Sequence, residues 1–517
     1  FYPIVWHQVA SLGAWSWRET LIANNVLLLA VALVWYLGLV YLARTALPKV
    51  RHAPYLALAA SLLAPVFPWR LTYGAALWPY CMAVATCPAV IAMSIECWRR
   101  ARTLMVVAAR EQNTSVWGAR ARAAMALSAI IPFFVGSCLI HTSAAAMLLW
   151  PLFGILLCQA VHSGIRSWRT ERRAQAAAWW IGALLAVVAF VAFVVLPGPQ
   201  QHHFGRYTEL DWSNLTTKLL IPITLDYFGG WAIEWIEMPL ATLCLLGSAI
   251  CLWRRRNWEL VVAWIFSMSL ILAAIAPIPV LSAFTGLFYR VPHRIKAMTA
   301  VLAVLLVVVA LDALRTWLSP LGARAGSALR GALGRIGLAS VSTAVLRAGA
   351  AVAALAVCLP IMLIGSRAVA TDVREGYLPV HGDTRFIADK AELDMIRRLP
   401  EELPDNAVVI GDPVAGTGYI PILTGMRSVW VFPGQAADDQ DGIYLRENFN
   451  RIHTDPHVCE LLQRHGIHYF YADKDIVFNG NRLSKFRPGL YKVDTSSGFT
   501  LVDSGGSASL WRIDICG

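Results

Sequence analysis

Long apolar blocks dominate the first 366 residues, and they limit what the chain can fold into. An apolar run of about 20 residues matches the hydrocarbon thickness of a bilayer. Ten such segments fall near 22–42, 54–67, 76–98, 124–140, 144–164, 176–197, 236–253, 258–280, 296–314 and 348–366. The second is short and closed by Pro65 and Pro68, which suits a re-entrant or tilted helix. The fourth and fifth are joined only by His141, Thr142 and Ser143, as in a tight helical hairpin. Charged residues make up 15% of the chain against 57% hydrophobic, where a soluble domain carries about 25% charged. The expected fold is therefore mainly α: a polytopic transmembrane helical bundle of about ten helices over 1–366. The remainder, 367–517, has soluble composition and forms a separate α/β domain.

Basic loops stay on the cytoplasmic side. Arg44, Lys49 and Arg51 follow the first segment, and six arginines between Arg99 and Arg122 follow the third. Arg166 to Arg173 follow the fifth, Arg254 to Arg256 the seventh, and Arg315 to Arg347 the ninth. With ten crossings all of these share one side, which puts residues 367–517 outside the cell membrane. The net charge of +12 is absorbed by these loops, so nucleic acid is not expected as a partner; the lipid bilayer is. The connector 317–346 reads either as a surface-lying amphipathic helix or as a flexible basic loop.

In the tail, helical spacing covers Ile387 to Leu399 and stops at Pro400. Ala407–Ile410, Ser428–Phe432 and His468–Ala472 read as strands, and Asp455 caps a helix through Gln463. Alternating strands and helices favour a parallel sheet. Phe499–Val502 and Ser509–Ile513 form a closing hairpin around Gly505-Gly506. Cys459 and Cys516 are the two cysteines of the tail, and an outer location would let them pair. No Cys/His ligand spacing suggests zinc; a divalent metal ion of another kind is left open as cofactor.

Gly411-Asp-Pro-Val-Ala-Gly416-Thr-Gly418 follows a strand, but it lacks the lysine a phosphate loop needs and reads as a tight strand-to-helix turn. Tyr289-Arg290-Val-Pro-His293-Arg294 lies between the eighth and ninth segments. Its arginines could grip a phosphate through bidentate bonds, or anchor to lipid headgroups. Arg70 stands beside aromatics in Phe67-Pro-Trp-Arg70, His7 precedes the first segment, His141 caps the hairpin, and the polar aromatic loop 198–235 carries Asp226. Carboxylates and rings of this kind suit sugars. No ionisable residue falls clearly at mid-membrane, which disfavours a secondary transporter.

Together, Tyr2-Pro3 with His7, Phe67-Pro-Trp, Tyr289-Arg290 with Arg294, Gly411-Asp-Pro to Gly418-Tyr, Leu-Thr-Gly425 and Val431-Phe-Pro433 resemble a family of polytopic proteins typical of high-GC Gram-positive bacteria. That family looks like the GT-C glycosyltransferases. The resemblance implies transfer of a sugar from a polyprenyl-phosphate donor to a glycan or lipid acceptor of the cell envelope, at the outer face. A carboxylate base in the first outer loop would activate the acceptor; the sequence reads as starting within a longer protein, so that base is expected upstream of Phe1. Arg290, His293 and Arg294 match positions where such enzymes hold the donor phosphate, and Tyr289, His7, Arg70, Asp226 and His141 join them as expected substrate contacts. Two rival functions are a non-catalytic envelope assembly or glycan-binding protein and a transporter of lipid-linked substrates.

Overall fold

The computed structural model describes residues 4–16, 19–63, 77–110, 116–195, 231–275, 281–288, 291–335, 388–432, 439–478 and 481–517, with a few single positions between them. The chain divides into two compact units. One comprises residues 1–9 and 26–373, the other 10–25 and 374–517.

The first unit is helical, and its first two helices include residues of the 10–25 stretch. Its elements are α1 (Val5–Ser11), α2 (Thr20–Ala46), α3 (Ala53–Leu63), α4 (Trp78–Arg110), α5 (Val116–Ser128), α6 (Ile131–Ile140), α7 (Ser143–Arg169), α8 (Arg173–Val195), α9 (Trp231–Trp253), α10 (Trp258–Ile275), α11 (Leu281–Phe284) and α12 (Pro292–Arg335). Among the described residues, six stretches are long and apolar enough to cross a membrane: Thr20–Ala46, Trp78–Leu104, Arg120–Ile140, Ser143–Arg169, Trp258–Ile275 and Arg294–Pro320. This corrects the expected ten. Three of the ten segments hold shorter apolar stretches among the described residues, at Ala53–Leu62, Arg173–Ala189 and Met238–Trp253, the last two being parts of the 23-residue helices α8 and α9. The segment 348–366 lies almost wholly outside the described residues. Of these three, only Ala53–Leu63, at 11 residues, falls well short of the roughly 20 residues that a crossing helix needs.

The bundle is built around α12. Of the apolar window of Arg294–Pro320, 83% is buried, against at most 44% for the other long helices. Its residues Ala300 to Val309 are buried without interruption, as expected of a helix that is apolar on every face. Small residues let neighbouring helices approach. At Gly247 of α9 a β-carbon would sit 1.9 Å from the carbonyl oxygen of Leu306 on α12. Only glycine permits that backbone-to-backbone contact, the usual way helices pack in membranes. Helix α12 also runs on through Pro320 to Arg335. Residues 317–335 of the connector thus continue the ninth segment's helix and form no separate surface helix.

The second unit has a five-stranded sheet in the order β2-β1-β3-β7-β6. Its strands are β1 (Val408–Ile410), β2 (Arg427–Ser428), β3 (Tyr469–Ala472), β6 (Phe499–Gly505) and β7 (Ala508–Ile513); β4 (Val477–Phe478) and β5 (Asn481–Arg482) form a separate two-stranded ribbon. Strand β1 pairs in parallel with β2 and β3. The hairpin β6–β7 adds antiparallel to β3, so the sheet is mixed where a parallel one was expected. Four helices accompany it: α13 (Lys390–Glu402), α14 (Tyr419–Thr424), α15 (Gln440–Asn448) and α16 (Pro456–Arg464). One face packs on Phe449, Val458, Leu461 and Leu462, the other on Met395, Ile396, Leu399 and Ile420.

Local signals explain the boundaries. Helix α13 starts at a capping box in which Asp389 and Glu392 satisfy each other's backbone N–H groups. Asp455 caps α16 through His457 N–H. The expected strand Ser428–Phe432 pairs only at Arg427–Ser428. Beyond it the chain curls, with Ser428 Oγ donating to Trp430 O at 3.1 Å. A disulfide joins Cys459 of α16 to Cys516.

Candidate functional site

In the helical unit, four segments converge on Tyr80. The first turn of α4 places the ring in the core, 1% exposed, where its hydroxyl donates to the carbonyl oxygen of Arg294. The guanidinium of Arg294 lies 5.5 Å from the Tyr80 ring centroid, a cation–π arrangement. His141 stands edge-on to the same ring at 5.3 Å. His141 Nδ1 accepts a hydrogen bond from Ser143 N–H at 3.2 Å, which puts the imidazole proton on Nε2 in the neutral ring. Ser143 Oγ donates to Leu287 O in the 3-10 turn Thr285–Phe288.

The start of α12 is electropositive. Arg294 and Lys296 both fall within its first five residues, and Lys296 is fully buried. The helix dipole adds partial positive charge at the same end. Cations at a helix N-terminus are locally unfavourable, whereas an anion there is stabilised by both effects.

Of the expected contacts, Arg294 and His141 are brought together around Tyr80. His7 is exposed on α1, whose neighbouring Trp6 packs 5.9 Å from Trp78, two residues before Tyr80. Tyr289, Arg290, Arg70, Asp226 and the side chain of His293 lie outside the described residues. Tyr80, Ser143 and Lys296 were not singled out from the sequence. Lys296 carried a usable signal, being a lysine at the edge of an apolar run; its burial follows from the central place of α12.

The second unit holds two buried polar clusters around the Gly411–Gly418 turn, which links β1 to α14. Asp412 and Arg487 are 4% and 7% exposed. Arg487 Nη1 donates to Asp412 Oδ1 at 3.1 Å, and Tyr491 OH to Asp412 Oδ2 at 2.9 Å. Asp412 Oδ1 also accepts from Val414 N–H at 2.8 Å. On the other side of the turn, Tyr471 OH donates to buried Glu392. Burial pushes the Glu392 carboxyl up to about 8, despite the opposing bond from Tyr471. Burial and the Glu392 charge hold the Tyr471 phenol well above its usual range. Gly416 has φ +111°, and a β-carbon there would lie 2.2 Å from Glu392 Oε1. The turn closes against this carboxyl only because residue 416 is glycine. Among the described residues no group of three or more His, Cys, Asp or Glu side chains could hold a metal ion.

Among the described residues, six apolar stretches long enough to cross a membrane and a small mixed sheet define a multi-pass membrane protein with a folded C-terminal α/β unit. The sequence matches the model of a family of unknown function (DUF6541) over residues 1–515, and the chain belongs to that family. No curated protein matches it.

Proposed function

We propose that the chain is a membrane glycosyltransferase of GT-C type that takes a sugar from a polyprenyl-phosphate carrier to a cell-envelope glycan or lipid at the outer membrane face. The observation that carries this reading is the electropositive start of α12, where Arg294 over Tyr80 and buried Lys296 sit at a helix N-terminus. A lipid phosphate is an anion delivered within the membrane, and it complements that corner. In the reaction the acceptor hydroxyl oxygen bonds to C1 of the sugar and gives up its proton to a base. The C1–O bond to the phosphate breaks, and its electron pair leaves on the carrier phosphate. Arg294 and Lys296 would meet the charge that grows there. An outer location of the tail is supported by the Cys459–Cys516 disulfide, a bond that persists in oxidising compartments.

The buried cation Lys296 also favours a second reading, carriage of a lipid-linked anion without transfer. Full-length protein in proteoliposomes, given labelled polyprenyl-phosphate sugars and envelope glycan acceptors, separates the two. Label moving to the acceptor supports the transferase. Binding of polyprenyl phosphate without transfer across a broad donor panel supports carriage. Arg294→Ala should weaken polyprenyl-phosphate binding by about 1.5–3 kcal/mol, the worth of a hydrogen bond to a charged group, and Arg294→Lys by less. Unchanged affinity in Arg294→Ala overturns the phosphate assignment.

A further inference from the structure

At the amino ends of the parallel strands, opposite the Gly411–Gly418 turn, the second unit opens a cavity of about 520 Å³. That volume lies within the usual range for small-ligand sites. Asn406, Arg427, His468, Tyr469, Arg512 and Asp514 line it among others. The sheet register delivers the two arginines from opposite sides: Arg427 of β2 pairs with Val408 of β1, and Arg512 of β7 pairs with Tyr469 of β3. Arg427 is exposed, and among the described residues no carboxylate pairs with it. Arg512 Nε donates to Asp514 Oδ1 at 2.7 Å, while its Nη1 makes no hydrogen bond among the described residues. The register sets the two arginines on opposite faces of the sheet, both lining the cavity at the strand ends, and either guanidinium fork suits a carboxylate or phosphate. Asn406 and Asp514 offer planar polar groups for hydroxyls, and the half-buried Tyr469 ring offers an apolar face.

We propose that this cavity binds a saccharide bearing an oxyanion, either a uronate carboxylate or a sugar phosphate. The site is separate from the lipid-phosphate corner of the helical unit and does not depend on the transfer chemistry. The test is calorimetric titration of the full-length protein in detergent with methyl β-glucuronide, glucose 1-phosphate, methyl β-glucoside and inorganic phosphate. At least one anionic sugar should bind tenfold or more tightly than the neutral glucoside and than inorganic phosphate; which one does so assigns the source of the oxyanion. The double variant Arg427→Gln/Arg512→Gln should lose tenfold or more of that affinity. Asp514→Asn releases Arg512 from its carboxylate partner and should raise the affinity several-fold. Equal binding of the neutral and anionic sugars, inorganic phosphate binding as tightly as the sugars, an unchanged double variant, or weaker binding in Asp514→Asn would each overturn the proposal.

Discussion

Glu392 makes the C-terminal unit's stability depend on pH. The residue is 2% exposed, and its carboxyl is pushed up to about 8 in the folded unit against 4.5 as the ordinary value, with burial as the main cause. Between these values the folded state binds more protons than the unfolded state, so stability falls as pH rises. It is fully present below pH 4.5 and lost progressively up to pH 8. At about 1.4 kcal/mol per pH unit, the loss is about 3 kcal/mol at pH 7 and about 5 kcal/mol above pH 8. The perturbation is Glu392→Gln. Glutamine keeps the N3 position of the capping box and an acceptor for Tyr471, but removes the titration. The assay is amide hydrogen exchange of Met395 to Leu399 on α13 in the full-length protein from pH 5 to 8, corrected for the intrinsic pH dependence of exchange. The native protein should lose about 3–4 kcal/mol of opening free energy across that range. The glutamine variant should lose much less over the same range, keeping only the smaller dependence of raised carboxyls such as Asp473, and exceed the native protein at pH 8. Parallel profiles for the two proteins would refute the buried, protonated carboxyl.

Two further outcomes follow from the same unit. Arg487→Met leaves Asp412 buried beside Tyr491 without its cation and should destabilise the unit by about 3–5 kcal/mol, read as lost exchange protection in β1 and β3; the double variant with Asp412→Asn should cost less than the sum of the two single changes. Replacing Cys459 and Cys516, which close a loop with a sequence separation of 57, should cost about 4 kcal/mol on the chain-entropy estimate, and in intact cells a maleimide should reach these thiols in native protein only after reduction.

Much of the architecture could be read from residue order because its causes are local. The apolar blocks are visible at the length a bilayer demands, and among the described residues six of them fall in helical stretches that meet it. Asp455 caps α16 where the order Asp-Pro before an apolar-periodic run says it should. Val408–Ile410 is a strand on both readings. The failures trace to length and continuity. Ala53–Leu63 is apolar but only 11 residues long. Helix α12 does not stop with its apolar block at residue 314 but runs on through Pro320 to Arg335, into the connector expected to be separate.

The candidate sites were far less legible, because their members meet only in three dimensions. Tyr80 and Arg294 are 214 residues apart, Tyr471 and Glu392 are 79 apart, and Arg487 and Asp412 are 75 apart. Nothing in the neighbourhood of Tyr80 marks it as the platform for a cation, since a tyrosine near a helix start in an apolar run usually serves the membrane interface. Glu392 shows the same ambiguity in sharper form. Asp389 and Glu392 form a capping box, a role in which the acid at the third position ordinarily sits in water. The fold instead turns that glutamate under Gly416 and against Tyr471, where the local role is kept but the charge becomes costly. A cap needs only an acceptor, and glutamine would supply one. A carboxyl kept there at the expense of stability at neutral pH is therefore not explained by helix capping, and the Glu392→Gln profile measures how large that expense is.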